Sequence, residues 1–201
     1  MEIARATITL LDVAPRVRRI VDLPIAVTLA DLHAIIQAAM AWTNSHMHEF
    51  RVGKTIYGTP VAGFDDADRR VLPAAKIQLR DLMTSAKLRL HYIYDFGDDW
   101  QHQIDIKRLP DAADGEPYPR LIEAEGRCPP EDVGGFPGYK HFLEAMNDPQ
   151  HPDHADIRDW HAGPFDPTDP DQPALAKNVA KIAARLGRKK AAKPSGRSTR
   201  S

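Results

Sequence analysis

Lys87-Leu88-Arg89-Leu90-His91-Tyr92-Ile93-Tyr94, then Asp95-Phe96-Gly97-Asp98-Asp99, then Trp100-Gln101-His102-Gln103-Ile104-Asp105-Ile106-Lys107 is the stretch that decides the fold. Leu88, Leu90, Tyr92 and Tyr94 alternate with Lys87, Arg89 and His91. After the break, Trp100, Ile104 and Ile106 alternate with Gln101, Gln103, Asp105 and Lys107. A period of two belongs to a strand, and two such runs around a short polar break predict an antiparallel hairpin with one buried and one wet face. Gly97 is expected to supply the positive φ of the turn. His102 is in phase with Trp100 and Ile104, so it should point into the core, where its ring nitrogens need partners.

Working outward, Ile3–Leu11 and Val17–Leu23 read as two more strands separated by a turn at Pro15, with Val17, Val21 and Leu23 sharing a face. Thr28 with Asp31 three residues on has the form of a capping box. The helix it opens, about 28–41, carries Leu29, Leu32, Ile35, Ile36 and Met40 on one stripe. His48–Val52 and Lys54–Tyr57 suggest a hairpin around Gly53, residues 58–75 a long loop, and Ile77–Met83 either a short helix or a strand. Further helices are expected at about 137–147, with Tyr139, Phe142, Leu143 and Met146 inward, at 153–160 and at 172–186. The pattern is an α+β fold, one domain with a mostly antiparallel sheet packed on one face by the 28–41 and 137–147 helices.

Its 201 residues, 42% hydrophobic and 27% charged, suffice for one domain with a core. No apolar run reaches the ~18 residues of a membrane span, so no membrane association is expected. The start of the chain has no basic stretch followed by an apolar block. A single cysteine, Cys128, excludes an intramolecular disulfide framework and fits a cytoplasmic location. The net charge of −1 conceals an asymmetry. Nine basic and no acidic residues lie from Lys177 onward, which leaves 18 basic against 28 acidic before them. The body is expected to span 1–186 and a disordered basic tail 187–201, with Arg188, Lys189, Lys190, Lys193 and Arg197 as candidate nucleic-acid contacts. The tail lacks aromatic residues, so any such contact would be electrostatic rather than by base stacking.

Four polar groups could carry chemistry. His46 and His48 have the i, i+2 spacing that points two imidazoles the same way on a strand, towards one metal; the alternative is a pair of loop histidines. Asp95, Asp98 and Asp99 gather at the hairpin tip with His102 nearby, where they could hold a divalent cation or simply accept backbone N–H groups of the turn. Glu131 and Asp132, between a diproline and Gly134-Gly135, could serve a cation or general acid–base step, or cap the next helix start. His151, His154 and His161 read as exposed histidines. There is no phosphate-binding glycine loop, no G-x-S-x-G elbow and no H-E-x-x-H.

Several stretches taken in order resemble the plasmid pRiA4b ORF-3-like family, also labelled TnpR-like passengers of insertion elements. They are Pro15-Arg16-Val17-Arg18-Arg19, Thr28-Leu29-Ala30-Asp31-Leu32-His33, Trp42 with His46-Met47-His48-Glu49-Phe50, Tyr94 through His102, Cys128-Pro129-Pro130-Glu131-Asp132-Val133-Gly134-Gly135 with Gly138-Tyr139, and Phe165-Asp166-Pro167. The resemblance spans about residues 3–170, and Arg18 stands where the family often has an aromatic residue. It implies a single α+β domain of bacteria and archaea, often encoded near mobile elements. It does not imply serine recombination, because Ser45 and Ser85 are the only serines before residue 195 and neither lies in an arginine-rich motif. Two functions remain open: a non-enzymatic binding module for nucleic acid or a protein partner, and a metal-dependent hydrolase or nuclease using His46, His48, Asp95, Asp99, His102, Glu131 and Asp132.

Overall fold

The computed structural model describes residues 1–60, 70–112 and 115–191, with side chains as far as residue 189. Eight strands form one sheet: β1 (Ile3–Leu10), β2 (Val17–Pro24), β3 (His48–Val52), β4 (Thr55–Gly58), β5 (Val71–Pro73), β6 (Lys87–Tyr94), β7 (Trp100–Arg108) and β8 (Arg120–Glu125). Their spatial order is β5-β4-β3-β6-β7-β1-β2-β8, antiparallel throughout except for the parallel β4–β5 pair. The helices are α1 (Leu29–Met40), α2 (Leu79–Leu82), α3 (Gly135–Asn147), α4 (His154–His161) and α5 (Gln172–Ala191), with one 3₁₀ turn at Ala74–Lys76.

The β6–β7 hairpin forms in the register that alternation requires. Leu88 faces Ile106, Leu90 faces Ile104, Tyr92 faces His102 and Tyr94 faces Trp100. His102 is fully buried among these residues. The turn is built differently from expectation. Asp95 and Asp99 take the positive φ values, 58° and 54°, and Gly97 does not. Aspartate tolerates this conformation because its short side chain bonds locally, and the Asp95 carboxylate accepts the N–H of Gly97 at 2.9 Å.

α1 begins at the expected capping box, with Thr28 and Asp31 satisfying each other's backbone N–H groups. Its buried stripe joins Ala4, Ala6, Ile8 and Leu10 of β1 in one core. Tyr139 and Phe142 of α3 belong to the same core. α5 packs on α1 and on β8, which the expected two-helix layer did not include. Two strands were not anticipated. β5 occupies part of the 58–75 stretch, of which residues 61–69 lie outside the described residues, and β8 is an edge strand without clean alternation. The undecided 77–83 segment is helical at α2. α5 continues five residues past the expected boundary at 186. Of the candidate tail contacts, Lys193 and Arg197 lie outside the described residues, as does the side chain of Lys190.

Candidate functional site

The β6–β7 hairpin, the loop after α1 and the loop before α3 meet at one end of the sheet. α1 stops because Ala41 turns left-handed, at φ 63°. The chain then runs through Thr43, Asn44 and Ser45 to β3, and this passage is clasped from two sides. The Tyr94 hydroxyl accepts the Ser45 N–H at 3.0 Å and donates to Glu131 at 2.5 Å. The other Glu131 oxygen accepts the N–H of Thr43 at 2.8 Å and its hydroxyl at 2.5 Å. Both Glu131 oxygens are thus engaged in holding the loop. Burial, followed by the bond to Glu131, pushes the Tyr94 hydroxyl pKa up.

Clasping the loop brings His46 between two aspartates. Its Nδ1 is 3.5 Å from Asp95 Oδ2 and its Nε2 is 3.1 Å from Asp132 Oδ1. The second contact is close but not aligned as a hydrogen bond, and Nε2 is a buried atom without a hydrogen-bond partner among the described residues. One donor atom from each of His46, Asp95 and Asp132 lies within 4.8 Å of the other two, a spacing that could hold a cation. His48 does not complete this group. Its ring stacks on His33 at 3.5 Å with planes 4° apart, and its Nε2 is likewise buried without a hydrogen-bond partner. Both histidines line a cavity of about 340 Å³, shared with His33, Asn44, Met47 and Thr59. Burial, then the neighbouring His33, pushes the His48 pKa down to about 3, so its imidazole is neutral.

The remaining expected site residues are elsewhere or otherwise occupied. Asp98 accepts from the N–H of Gly134 at 3.3 Å, so the carboxylate at the start of α3 comes from the hairpin and not from Glu131 or Asp132. Asp99 is exposed and accepts from Gln101 Nε2 at 2.8 Å. His102 lies in the core, edge-on to Trp42 at 5.5 Å. Its Nδ1–H donates to the carbonyls of Trp100 at 3.1 Å and Tyr92 at 3.3 Å, which leaves Nε2 buried and without a hydrogen-bond partner among the described residues. Burial pushes its pKa down to about 4. His151, His154 and His161 are half-buried rather than exposed. His151 and Asp153 meet His141 at metal-ligand spacing. However, His151 Nδ1 already accepts the Asp153 backbone N–H at 3.1 Å, so the lone pair of that nitrogen is not free for an ion.

Two parts of the site escaped sequence reading although signals were present. His33 and Gln37 are buried one turn apart on α1, and both reach the Tyr92 hydroxyl, at 2.8 and 3.1 Å. Two polar residues four apart on an apolar stripe are the signal. Arg19 shares the parity of Val17 and Val21 on β2, and it is 1% exposed.

The basic end of the chain is helical where it is described. Lys177, Lys181, Arg185 and Arg188 are exposed at spacings of four, four and three along α5, a single stripe about 16 Å long at 1.5 Å per residue. Among the described residues none of the four forms an ion pair, whereas Lys189 reaches Asp31 of α1 at 3.2 Å. Among the described residues no helix is long and apolar enough to cross a membrane.

Comparison with known proteins agrees with this architecture. The chain is 40% identical over 190 residues to "Uncharacterized protein y4hQ" of Sinorhizobium fredii (strain NBRC 101917 / NGR234), covering 93% of this chain and 95% of the relative. It is similar to the crystal structure of a protein of unknown function, MM3350, from Methanosarcina mazei Go1, with a TM-score of 0.75 and 28% identity over 89% of this chain and 97% of that one. The match to plasmid pRiA4b ORF-3-like proteins runs over residues 2–173, and the chain belongs to that family.

Proposed function

We propose that the protein is a non-enzymatic, cytoplasmic nucleic-acid-binding module associated with mobile elements, and that it docks on the phosphate backbone through the outer face of α5. The observation that carries this reading is the stripe Lys177-Lys181-Arg185-Arg188, exposed, and unpaired among the described residues, on a helix that contains no acidic residue. The preceding 176 residues hold ten more acidic than basic side chains. That charge favours approach with α5 foremost and discourages wrapping of the acid around the body. Phosphate contacts made by lysine and arginine release counterions, so affinity should fall steeply with salt. Fluorescence anisotropy of the full chain on a short DNA duplex, repeated across salt concentrations, is the test. Engagement of all four side chains predicts a log–log slope of about −3.6. Replacing the four with alanine should flatten that slope and weaken binding. An unchanged slope in the variant, or no binding by the wild-type chain at low salt, overturns the reading.

A second reading rests on a separate observation. His46, Asp95 and Asp132 present one donor atom each within 4.8 Å, and the His46 Nε2 is buried, 3.1 Å from Asp132, and without a hydrogen-bond partner among the described residues. Nitrogen and oxygen donors in this set suit Mn²⁺ or Zn²⁺. A divalent cation held there would give the protein a metal-dependent hydrolase or nuclease activity, with His48 and Asn44 in the adjoining cavity as neutral polar contacts. Calorimetric titration with MnCl₂ and ZnCl₂ should show one site that His46→Ala removes. Absence of metal uptake by the wild-type chain rejects this second reading without touching the first.

A further inference from the structure

A different cavity, about 280 Å³, opens between the end of α1, the 127–131 loop and the start of α5. Arg19 lines it. This residue sits on the core side of β2 at 1% exposure, so its guanidinium is a cation removed from water. Its hydrogen bonds all run to neutral acceptors. Nε donates to the Ala39 carbonyl at 2.8 Å, and Nη1 to the carbonyls of Arg18 at 2.8 Å and Glu125 at 2.7 Å. Nη2, with two N–H groups, has one acceptor among the described residues, the Cys128 sulfur at 3.9 Å. That contact is long, and burial pushes the Cys128 thiol up to about 11, so the sulfur is no counter-ion at neutral pH. Arg19 forms no ion pair among the described residues. A charge left unpaired in the interior is unfavourable unless something supplies the opposite sign.

Two carboxylates line the cavity, Glu131 and Asp171, and among the described residues neither forms an ion pair with Arg19. Glu131 is held by Tyr94 and Thr43, and the Asp171 carboxylate accepts the Ala174 N–H at 3.3 Å. Arg127 adds a second cation, tethered to Asp169 through Nε and to the Phe165 ring at 5.6 Å. Burial, then Arg127, lowers the His161 pKa, which makes that imidazole a neutral donor or acceptor at the cavity wall. The rest of the wall is largely apolar, with Met40, Trp42, Phe165 and Leu175. We infer that this cavity is a binding site for a small organic monocarboxylate, whose carboxylate seats on the Arg19 guanidinium and whose apolar body lies against Trp42 and Phe165. With Nε and Nη1 engaged on carbonyls, Nη2 offers the donors that a carboxylate oxygen can take, and the positive charge strengthens that bond. A bare inorganic oxyanion would satisfy the charge but leave the apolar wall wet.

The test uses the full chain with benzoate as probe, benzyl alcohol as its neutral counterpart and inorganic phosphate as the bare oxyanion. Binding is followed by calorimetry and by the NMR signal of the Trp42 indole N–H. Benzoate should bind saturably, tighter than benzyl alcohol by about tenfold or more, and should shift the Trp42 signal. Arg19→Met should abolish binding. Because that variant removes a residue tied to three carbonyls, Ala174→Trp provides a second test. Ala174 is an exposed residue on the cavity wall, and an indole there should block benzoate while leaving thermal stability intact. Equal affinity for benzyl alcohol, binding of phosphate in place of benzoate, or unchanged benzoate binding by Ala174→Trp each overturns the inference.

Discussion

Replacing His102 with glutamine and following stability against pH tests the account of the core at its most demanding point. The folded imidazole has its pKa at about 4, pushed down from 6.5 by burial. Below 6.5 the unfolded chain takes up a proton that the folded chain refuses, so acid favours unfolding. The contribution is fully present above 6.5 and is lost as pH falls towards 4. Linkage puts the loss at about 2 kcal/mol between pH 7.5 and pH 5 and about 3.4 kcal/mol once both states are protonated. His48 and His33 also have lowered pKa values, so the wild-type chain should lose more than His102 alone accounts for. The difference between wild type and His102→Gln isolates the one residue. Urea unfolding at a series of pH values measures it, and the slope of stability against pH should be shallower in the variant by up to about 1.4 kcal/mol per unit. The ring protons of His102 should also keep their neutral NMR shifts in the folded protein at pH 5. Parallel pH profiles in the two proteins, or a folded imidazole that titrates near 6.5, would refute the reasoning.

Five further substitutions probe the loops, the α1 cap and the contact between α5 and α1. Gly135→Ala should lower stability by about 2 kcal/mol or more in thermal melts, because φ is +65° and an added Cβ would lie 2.6 Å from the Asp98 carbonyl oxygen. Gly53→Ala, at φ +57° with open space around it, should lose only the backbone part. Tyr94→Phe removes the hydroxyl that joins the Ser45 N–H to Glu131, and chemical denaturation should show a loss of about 1–3 kcal/mol. Asp31→Ala should be more harmful than Lys189→Ala, by about 1 kcal/mol, since Asp31 completes a helix cap while Lys189 makes an exposed ion pair. Equal losses from the pair would show that the contact between α5 and α1 matters more than the cap.

What could be read from the sequence follows from the range of the interactions. Alternation in 88–94 and 100–106 reports a local period, and the hairpin follows from it together with the inward aim of His102. Thr28 and Asp31 sit three residues apart, so their cap is legible as well. The clasp of Thr43 by Glu131 joins residues 88 positions apart, and no spacing rule announces it. The Asp98 bond to Gly134 spans 36. Parity along β2 places Arg19 inward with Val17 and Val21. The expectation that arginine faces water hides this, although the burial of a charged group is what such parity exposes. The turn shows the opposite fault. Gly97 drew the positive φ by reputation, yet Asp95 and Asp99 hold it because their carboxylates find donors nearby, the backbone for Asp95 and Gln101 for Asp99.

The two pockets have no lining residue in common, but the heavily tied loop after α1 joins them, with Trp42 on one and Asn44 and His46 on the other. Trp42 lines the Arg19 cavity, and its ring stacks on Tyr94 at 5.0 Å and on Trp100 at 6.2 Å. Its indole N–H donates to the Pro129 carbonyl at 3.0 Å, which fixes the diproline loop that also carries Cys128 and Glu131. Glu131 in turn lines the same cavity while holding Thr43 and Tyr94, on the side where His46 meets Asp95 and Asp132. Any ligand that displaces Trp42 must therefore disturb the stack on Tyr94, and with it the hydroxyl that positions Ser45 just ahead of His46. Coupling between the cavities would run through the packing of that aromatic ring and through one carboxylate. Tyr94→Phe keeps the ring and removes the link. A metal affinity that responds to benzoate in wild type but not in Tyr94→Phe would establish that route, whereas a response preserved in the variant would place the coupling in the backbone of the 42–46 loop.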